Sequence, residues 1–166
     1  MRVRLIAAGW HPKRNVWNRL TLPKLFEVHD EARRVLVEYG ALKFGDRNDS
    51  VTLDPSRGDE IAHAAKELQN NVKAHLYPLG VMEHQDSHYL LIDEQGVLYT
   101  LIEAPGENII VFELEPFAST FEKALSFFLR PVSNESDLKS IGLFGKVWRV
   151  ETKPGVHKRE SRGHHT

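Results

Sequence analysis

Ala32, Val35, Leu36 and Tyr39 recur at the i, i+3, i+4, i+7 spacing of one helix face, with Asp30 placed to cap the segment and Gly40 to stop it. The pattern predicts a helix over residues 30–39 with one buried stripe. The same period returns at Ile61, Ala64, Ala65, Leu68 and Val72, with Lys66, Glu67 and Gln69 facing water and Tyr77-Pro78 as the stop. A third helix is predicted from the capping box Ser119-Thr120-Phe121-Glu122, in which Ser119 caps. Its core stripe is Phe121, Ala124, Leu125 and Phe128, and Pro131 closes it. After Pro12, residues 15–20 read as a short helix with Trp17 turned inward and Pro23 beyond its end.

Elsewhere the period is two. Residues 41–44 and 50–53 alternate apolar and polar positions around the turn formers of 45–49, which predicts a hairpin ended by Pro55. Residues 79–83, 88–93 and 97–103 read as a meander with turns at 85–87 and 94–96, where Gly96 supplies the left-handed angle of a short loop. Tyr89-Leu90-Leu91-Ile92 is apolar on both faces, as a central strand requires, and residues 108–112 add a strand after the Pro105-Gly106 turn. The expected fold class is α+β, a single domain with a mostly antiparallel sheet flanked by about three helices. That domain is expected over residues 1–130, followed by an extension at 131–152 with a strand near Val147-Trp148-Arg149-Val150. The polar, basic residues 153–166 are expected to be disordered.

The chain is 166 residues long and has no cysteine, which excludes disulfides, thiolate metal sites and cysteine nucleophiles and suits a reducing compartment. The apolar run at 5–8 is too short for a signal-peptide core, and no run approaches the roughly 20 residues of a membrane span, so a cytoplasmic protein is expected. The net charge of −1 conceals a division, with 15 Lys+Arg against 19 Asp+Glu in residues 1–130 and 7 against 4 in residues 131–166. Residues 74–122 carry nine acids and neither lysine nor arginine. Phosphate binding needs clustered cations, so this segment speaks against direct nucleic-acid binding and for a basic protein partner.

Candidate chemistry is thin. His84 and His88 flank Asp86 at a spacing that binds zinc on a helix, but here they fall on a strand-turn-strand junction with no further ligand marked, so neither metal nor cofactor is expected. There is no Gly-x-Ser-x-Gly elbow, and Gly142-Leu143-Phe144-Gly145-Lys146 lacks the spacing and the hydroxyl residue of a phosphate loop. The acid pairs Asp93-Glu94 and Glu113-x-Glu115 read as solvated turn and edge carboxylates, because general acid–base work needs a cleft that raises one pKa. Trp10, Pro12, Arg14 and Trp17 read as a packing unit rather than a ligand pocket. A small hydrolase built on the meander histidines is the least favoured reading.

One ordered set of motifs remains: Ala8-Gly9-Trp10-His11-Pro12-Lys13-Arg14, then Trp17, then Glu38-Tyr39-Gly40-Ala41-Leu42, then residues 88–99 with Gly96. This order resembles the SUKH superfamily, in particular its third subgroup, over roughly residues 4–130. The chain departs from it at Gly40-Ala41, where the family usually has two glycines; either the turn differs or Gly40 alone supplies a positive φ as the helix cap. The resemblance implies that Gly9, Trp10, Pro12, Arg14, Trp17, Gly40, Leu42 and Gly96 are scaffold, that no residue is catalytic, and that the protein binds and neutralises a cognate bacterial toxin, often a nuclease. Joined to the charge pattern, it singles out Glu83, Asp86, Asp93, Glu94, Glu103 and Glu107, in or near predicted turns, as contacts for a basic toxin whose active site the protein would occlude. The alternative is a regulatory scaffold domain of the same superfamily that binds a non-toxin protein. The sequence does not specify an oligomeric state.

Overall fold

The computed structural model describes residues 1–45, 49–84, 86–103, 109–129, 147–151 and 160–162. Among these residues eight strands lie in one antiparallel sheet in chain order: β1 Lys43–Gly45, β2 Asp49–Thr52, β3 Tyr77–His84, β4 Asp86–Ile92, β5 Leu98–Glu103, β6 Ile109–Glu113, β7 Val147–Glu151 and β8 Glu160–Arg162. The helices are α1 Arg2–Ala7, α2 Asp30–Tyr39, α3 Ala62–Val72 and α4 Phe121–Phe128, with 3-10 turns at Trp17–Arg19 and Pro55–Ile61. The α+β meander expected from the hydrophobic pattern is thus the fold. β8 falls within the tail that composition leaves without an element; Pro105-Gly106, Pro131 and residues 142–146 lie outside the described residues.

Alternation along the strands divides the interior into two cores, one on each side of the sheet. Leu90 and Ile92 of β4 join Ala32, Val35 and Leu36 of α2 and Phe121, Ala124 and Leu125 of α4. Tyr89 and Leu91 point the other way, to Ile61, Ala64, Ala65 and Leu68 beside α3. This is why Tyr89-Leu90-Leu91-Ile92 has no polar face. One extra residue resets the alternation in β3. Pro78 pairs with Leu91 and Gly80 with Leu90, so Leu79 is the bulged residue. Leu79 consequently packs with the α2 core while Val81, two positions on, packs with the α3 core.

Several boundaries differ from the sequence expectation, each for a local reason. His29, not Asp30, caps α2: its Nδ1 accepts from the Ala32 N–H at 3.2 Å, and its Nε2 lies 3.1 Å from the Ile92 carbonyl oxygen. The longer ring reaches both helix and sheet, which an aspartate at position 30 cannot do. Thr120, not Ser119, caps α4, accepting from the Lys123 N–H, while Ser119 Oγ takes the Lys123 ammonium. Tyr77-Pro78 opens β3 instead of stopping the preceding helix, which ends at Lys73 in a left-handed conformation. Gln69 is not merely solvated, since its Oε1 accepts from the Leu76 N–H. The first meander turn is tighter than 85–87, because Asp86 and Ser87 already pair with His84 and Glu83. The predicted helix over 15–20 is only the 3-10 turn, and it is Val16 that is buried while Trp17 is half-buried against the α2 core.

At the departure from the family pattern, Gly40 has φ −54° and Ala41 has φ +61°. Alanine therefore takes the left-handed angle itself. Gly40 is needed for a different reason: a Cβ there would meet the Leu36 carbonyl oxygen at 2.5 Å. Left-handed backbone costs a residue with Cβ roughly 1–2 kcal/mol, partly offset by the extra freedom glycine has in the unfolded chain. Ala41→Gly is expected to stabilise the protein by about 0.5–1 kcal/mol, read as a raised urea midpoint at unchanged slope. A lowered midpoint would contradict this account of the turn.

Candidate docking surface

The Trp10, Arg14 and Gly40 motifs meet at the C-terminus of α2, where four backbone carbonyls lack helical partners. The Gly40 N–H closes the last helical bond, to Leu36 O; beyond it Val37 O accepts from the Val16 N–H at 3.0 Å and Tyr39 O from the Leu42 N–H. Glu38 O accepts from Arg14 Nη1 at 2.7 Å, which also brings a cation to the negative end of the helix. Trp10 Nε1 donates to Glu38 Oε1 at 3.0 Å. Trp10 is itself placed by the stop of α1: the Gly9 N–H donates to Ile6 O and the Trp10 N–H to Leu5 O, with Gly9 at φ +99°. These residues build a helix cap, and they are occupied in doing so. Pro12 is exposed, and Leu42 is buried in the α2 core.

The six candidate acids do not gather at one end of the sheet. Asp93 and Glu94 sit at the β4–β5 turn, whereas Glu83, Asp86 and Glu103 lie at the opposite end of these strands. Asp93 is 5% exposed and its Oδ1 accepts from the N–H groups of both Gln95 and Val97 at 2.9 Å. It braces the turn around Gly96, which has φ +88°, and is not a solvated carboxylate. Glu94 is exposed but accepts from the His75 N–H at 2.9 Å. Hydrogen bonds from its own N–H and from that of His75 hold its pKa below the ordinary carboxylate value. Both are structural acids of the far end. Glu107 lies outside the described residues, as do the side chains of His84 and Asp86.

At the near end, ladder register does bring acids together. Glu83 pairs with Ser87, and Ser87 with Glu103, so the two glutamates flank one serine on three neighbouring strands. Two inter-strand spacings set their backbones about 10 Å apart. Val81 and Leu101, each two residues earlier, point into the α3 core, and Glu83 and Glu103 therefore share the α3 face. Ser87 Oγ donates to Glu83 Oε2 at 2.9 Å and steadies it.

Beside them the 3-10 turn before α3 contributes Arg57 and Glu60, which sequence reasoning missed. Arg57 Nη2 bonds Glu60 Oε2 at 3.0 Å and donates to the Tyr89 hydroxyl at 2.9 Å, its guanidinium 5.4 Å from the ring centroid. The hydroxyl in turn donates to Glu103 Oε2 at 3.1 Å, with Glu60 Oε2 3.4 Å away. Burial, first, raises the Tyr89 pKa well above that of a free phenol, with Glu103 and Glu60 adding to the effect and Arg57 opposing it. Tyr89 therefore stays protonated at neutral pH and orients its neighbours. The result is an exposed corner of three carboxylates, Glu60, Glu83 and Glu103, around one committed arginine. Among the described residues no group of three or more His, Asp or Glu side chains is placed to hold a metal ion, and no helix is long and apolar enough to cross a membrane.

The SUKH-3 immunity protein family profile matches residues 1–112 of the 166. The chain belongs to the SUKH-3 immunity protein family. That membership implies toxin immunity as its role and a cognate toxin as its partner. No curated protein and no solved structure matches the chain. The SUKH-3 match spans the α2 cap and the three strands that carry Glu83, Ser87 and Glu103, so scaffold and acidic corner both belong to the family region.

Proposed function

We propose that this SUKH-3 protein neutralises its toxin in the cytoplasm, without catalysis, by laying the acidic corner of Glu60, Glu83 and Glu103 over a basic active site or substrate groove. A nuclease is the toxin class whose substrate groove best matches such a surface, because it must itself attract a polyanion. The observation that carries this reading is the register Glu83–Ser87–Glu103. It presents two exposed carboxylates on a rigid sheet, and a preformed surface spends less ordering entropy on binding than a loop would. Glu107, five residues before the end of the family match, and Asp86, beside Ser87 in β4, are further candidates for the same contact. Complementary charge speeds encounter, up to about 10⁸–10⁹ M⁻¹s⁻¹ at low salt, and an antidote gains from speed.

The test is co-expression with the product of the adjacent open reading frame, scored by growth rescue and co-purification. For a partner found in this way, Glu83→Lys combined with Glu103→Lys is expected to weaken binding at least about thirtyfold, roughly 2 kcal/mol, measured per folded molecule because Glu103 also accepts from the Tyr89 hydroxyl. The association rate of the unaltered protein should fall steeply from low to high salt. Rescue and binding that survive the double reversal, or a flat salt response, would remove the acidic corner from the interface.

A further inference from the structure

On the other side of the sheet, residues 10–14 and the outer face of α2 enclose a depression of about 510 Å³ lined by Lys13, Arg14, Arg33, Arg34, Asp30 and Glu38. Two of its four cations are already engaged. Arg14 serves the Glu38 carbonyl, and Arg34 holds Glu31 through two nitrogens and reaches Glu122 of α4 at 3.1 Å. The Glu38 carboxylate is engaged too, by the Trp10 indole. Lys13 and Arg33 remain. Among the described residues the ion pairs are Arg34 with Glu31, Arg34 with Glu122, and Arg57 with Glu60, so neither Lys13 nor Arg33 has a carboxylate within ion-pair distance.

Arg33 is held in place, and the backbone that carries Lys13 is strained. Arg33 lies over the Trp17 ring, 4.9 Å from its centroid, which fixes the guanidinium without neutralising it. Lys13 has φ +62°, a left-handed backbone that costs a lysine roughly 1–2 kcal/mol. Such strain persists where surrounding structure enforces it, commonly beside a ligand. Burial, and then the nearby Arg19, lowers the Arg14 pKa.

We infer that this groove is a second docking surface, one that receives an acidic segment of a partner protein, with Lys13 and Arg33 taking its carboxylates. The charge layout favours a short acidic peptide over a nucleic acid. The two unpaired cations are bordered by Asp30, Glu31, Glu38 and Glu122, and a continuous phosphate backbone would be driven across those carboxylates, whereas one or two glutamate side chains fit between them. The groove lies on the α2 side and the acidic corner on the α3 side, so this inference stands apart from the toxin-docking reading.

A fluorescein-labelled oligoglutamate peptide, titrated with the full chain at low salt, is expected to bind saturably at one site. Arg33→Glu should weaken it at least tenfold. Lys13→Gly separates binding from folding, because it removes the cation and also the backbone strain: it should raise the urea midpoint while weakening the peptide severalfold. Glu83→Lys with Glu103→Lys should not weaken the peptide, which keeps this test independent of the toxin interface. Absence of saturable binding, or affinity indifferent to both groove variants, would overturn the inference. Tighter binding of a single-stranded oligothymidine of equal charge, lost in the same variants, would overturn it in favour of a nucleic-acid site.

Discussion

Gly80→Ala is expected to destabilise the protein by about 3 kcal/mol or more, at or beyond the upper end of ordinary overpacking. A Cβ at this position would lie 2.0 Å from the Thr52 carbonyl oxygen, 2.8 Å from Leu53 Cα and 3.0 Å from the Asp54 nitrogen. All three are backbone atoms, so no rotamer change relieves the clash. The chain cannot simply step aside, because Leu53 is fully buried and its N–H and C=O both bond to the segment after α2. Domains of this size have about 5–15 kcal/mol of stability in all. Urea unfolding followed by circular dichroism measures the effect; a midpoint within error of the parent would show that β3 and the exit of β2 are not so close.

Trp10→Ala should cost about 3 kcal/mol, the lower end for loss of a tryptophan because the ring is only half-buried. It removes the packing of the ring against the α2 core and the indole bond to Glu38. The damage should be confined to stability. Arg14 and Val16 still hold the α2 carbonyls, and the acidic corner lies across the sheet. Binding of the cognate partner, measured per folded molecule at a temperature where the variant is native, should equal that of the parent. Unchanged stability with lost binding would turn this block from scaffold into contact surface.

Much of the scaffold was legible because its signals are local. The stripe Ala32, Val35, Leu36 and the doubly apolar Tyr89-Leu90-Leu91-Ile92 report burial through spacing alone, and both are buried. Helix caps were less legible, since His29 and Thr120 each stand next to an equally plausible capping residue and the choice depends on what the side chain reaches. The helix Arg2–Ala7 was missed although Gly9 marks its stop, because six residues with only Leu5 buried leave hardly any periodicity. Of the candidate acids, Glu83 and Glu103 share an exposed face while Asp93 turned inward as a brace, and nothing in their sequence contexts separates the cases. The pair Arg57 and Glu60 reads as a local ion pair; that it organises Tyr89, some thirty residues away, does not.

The order of elements from α2 to α4, the two-sided burial of the central strand and the family motifs were settled by the chain itself, because periodicity and turn chemistry act between near neighbours. Tertiary structure decided which charges are free. Register placed Glu83 and Glu103 around Ser87, a turn consumed Asp93, the α2 cap consumed Arg14, and Lys13 and Arg33 beside it were left without an ion pair among the described residues. A carboxylate or guanidinium looks the same in the sequence whether it meets solvent, a backbone amide or a partner, and only the packing of distant segments determines which.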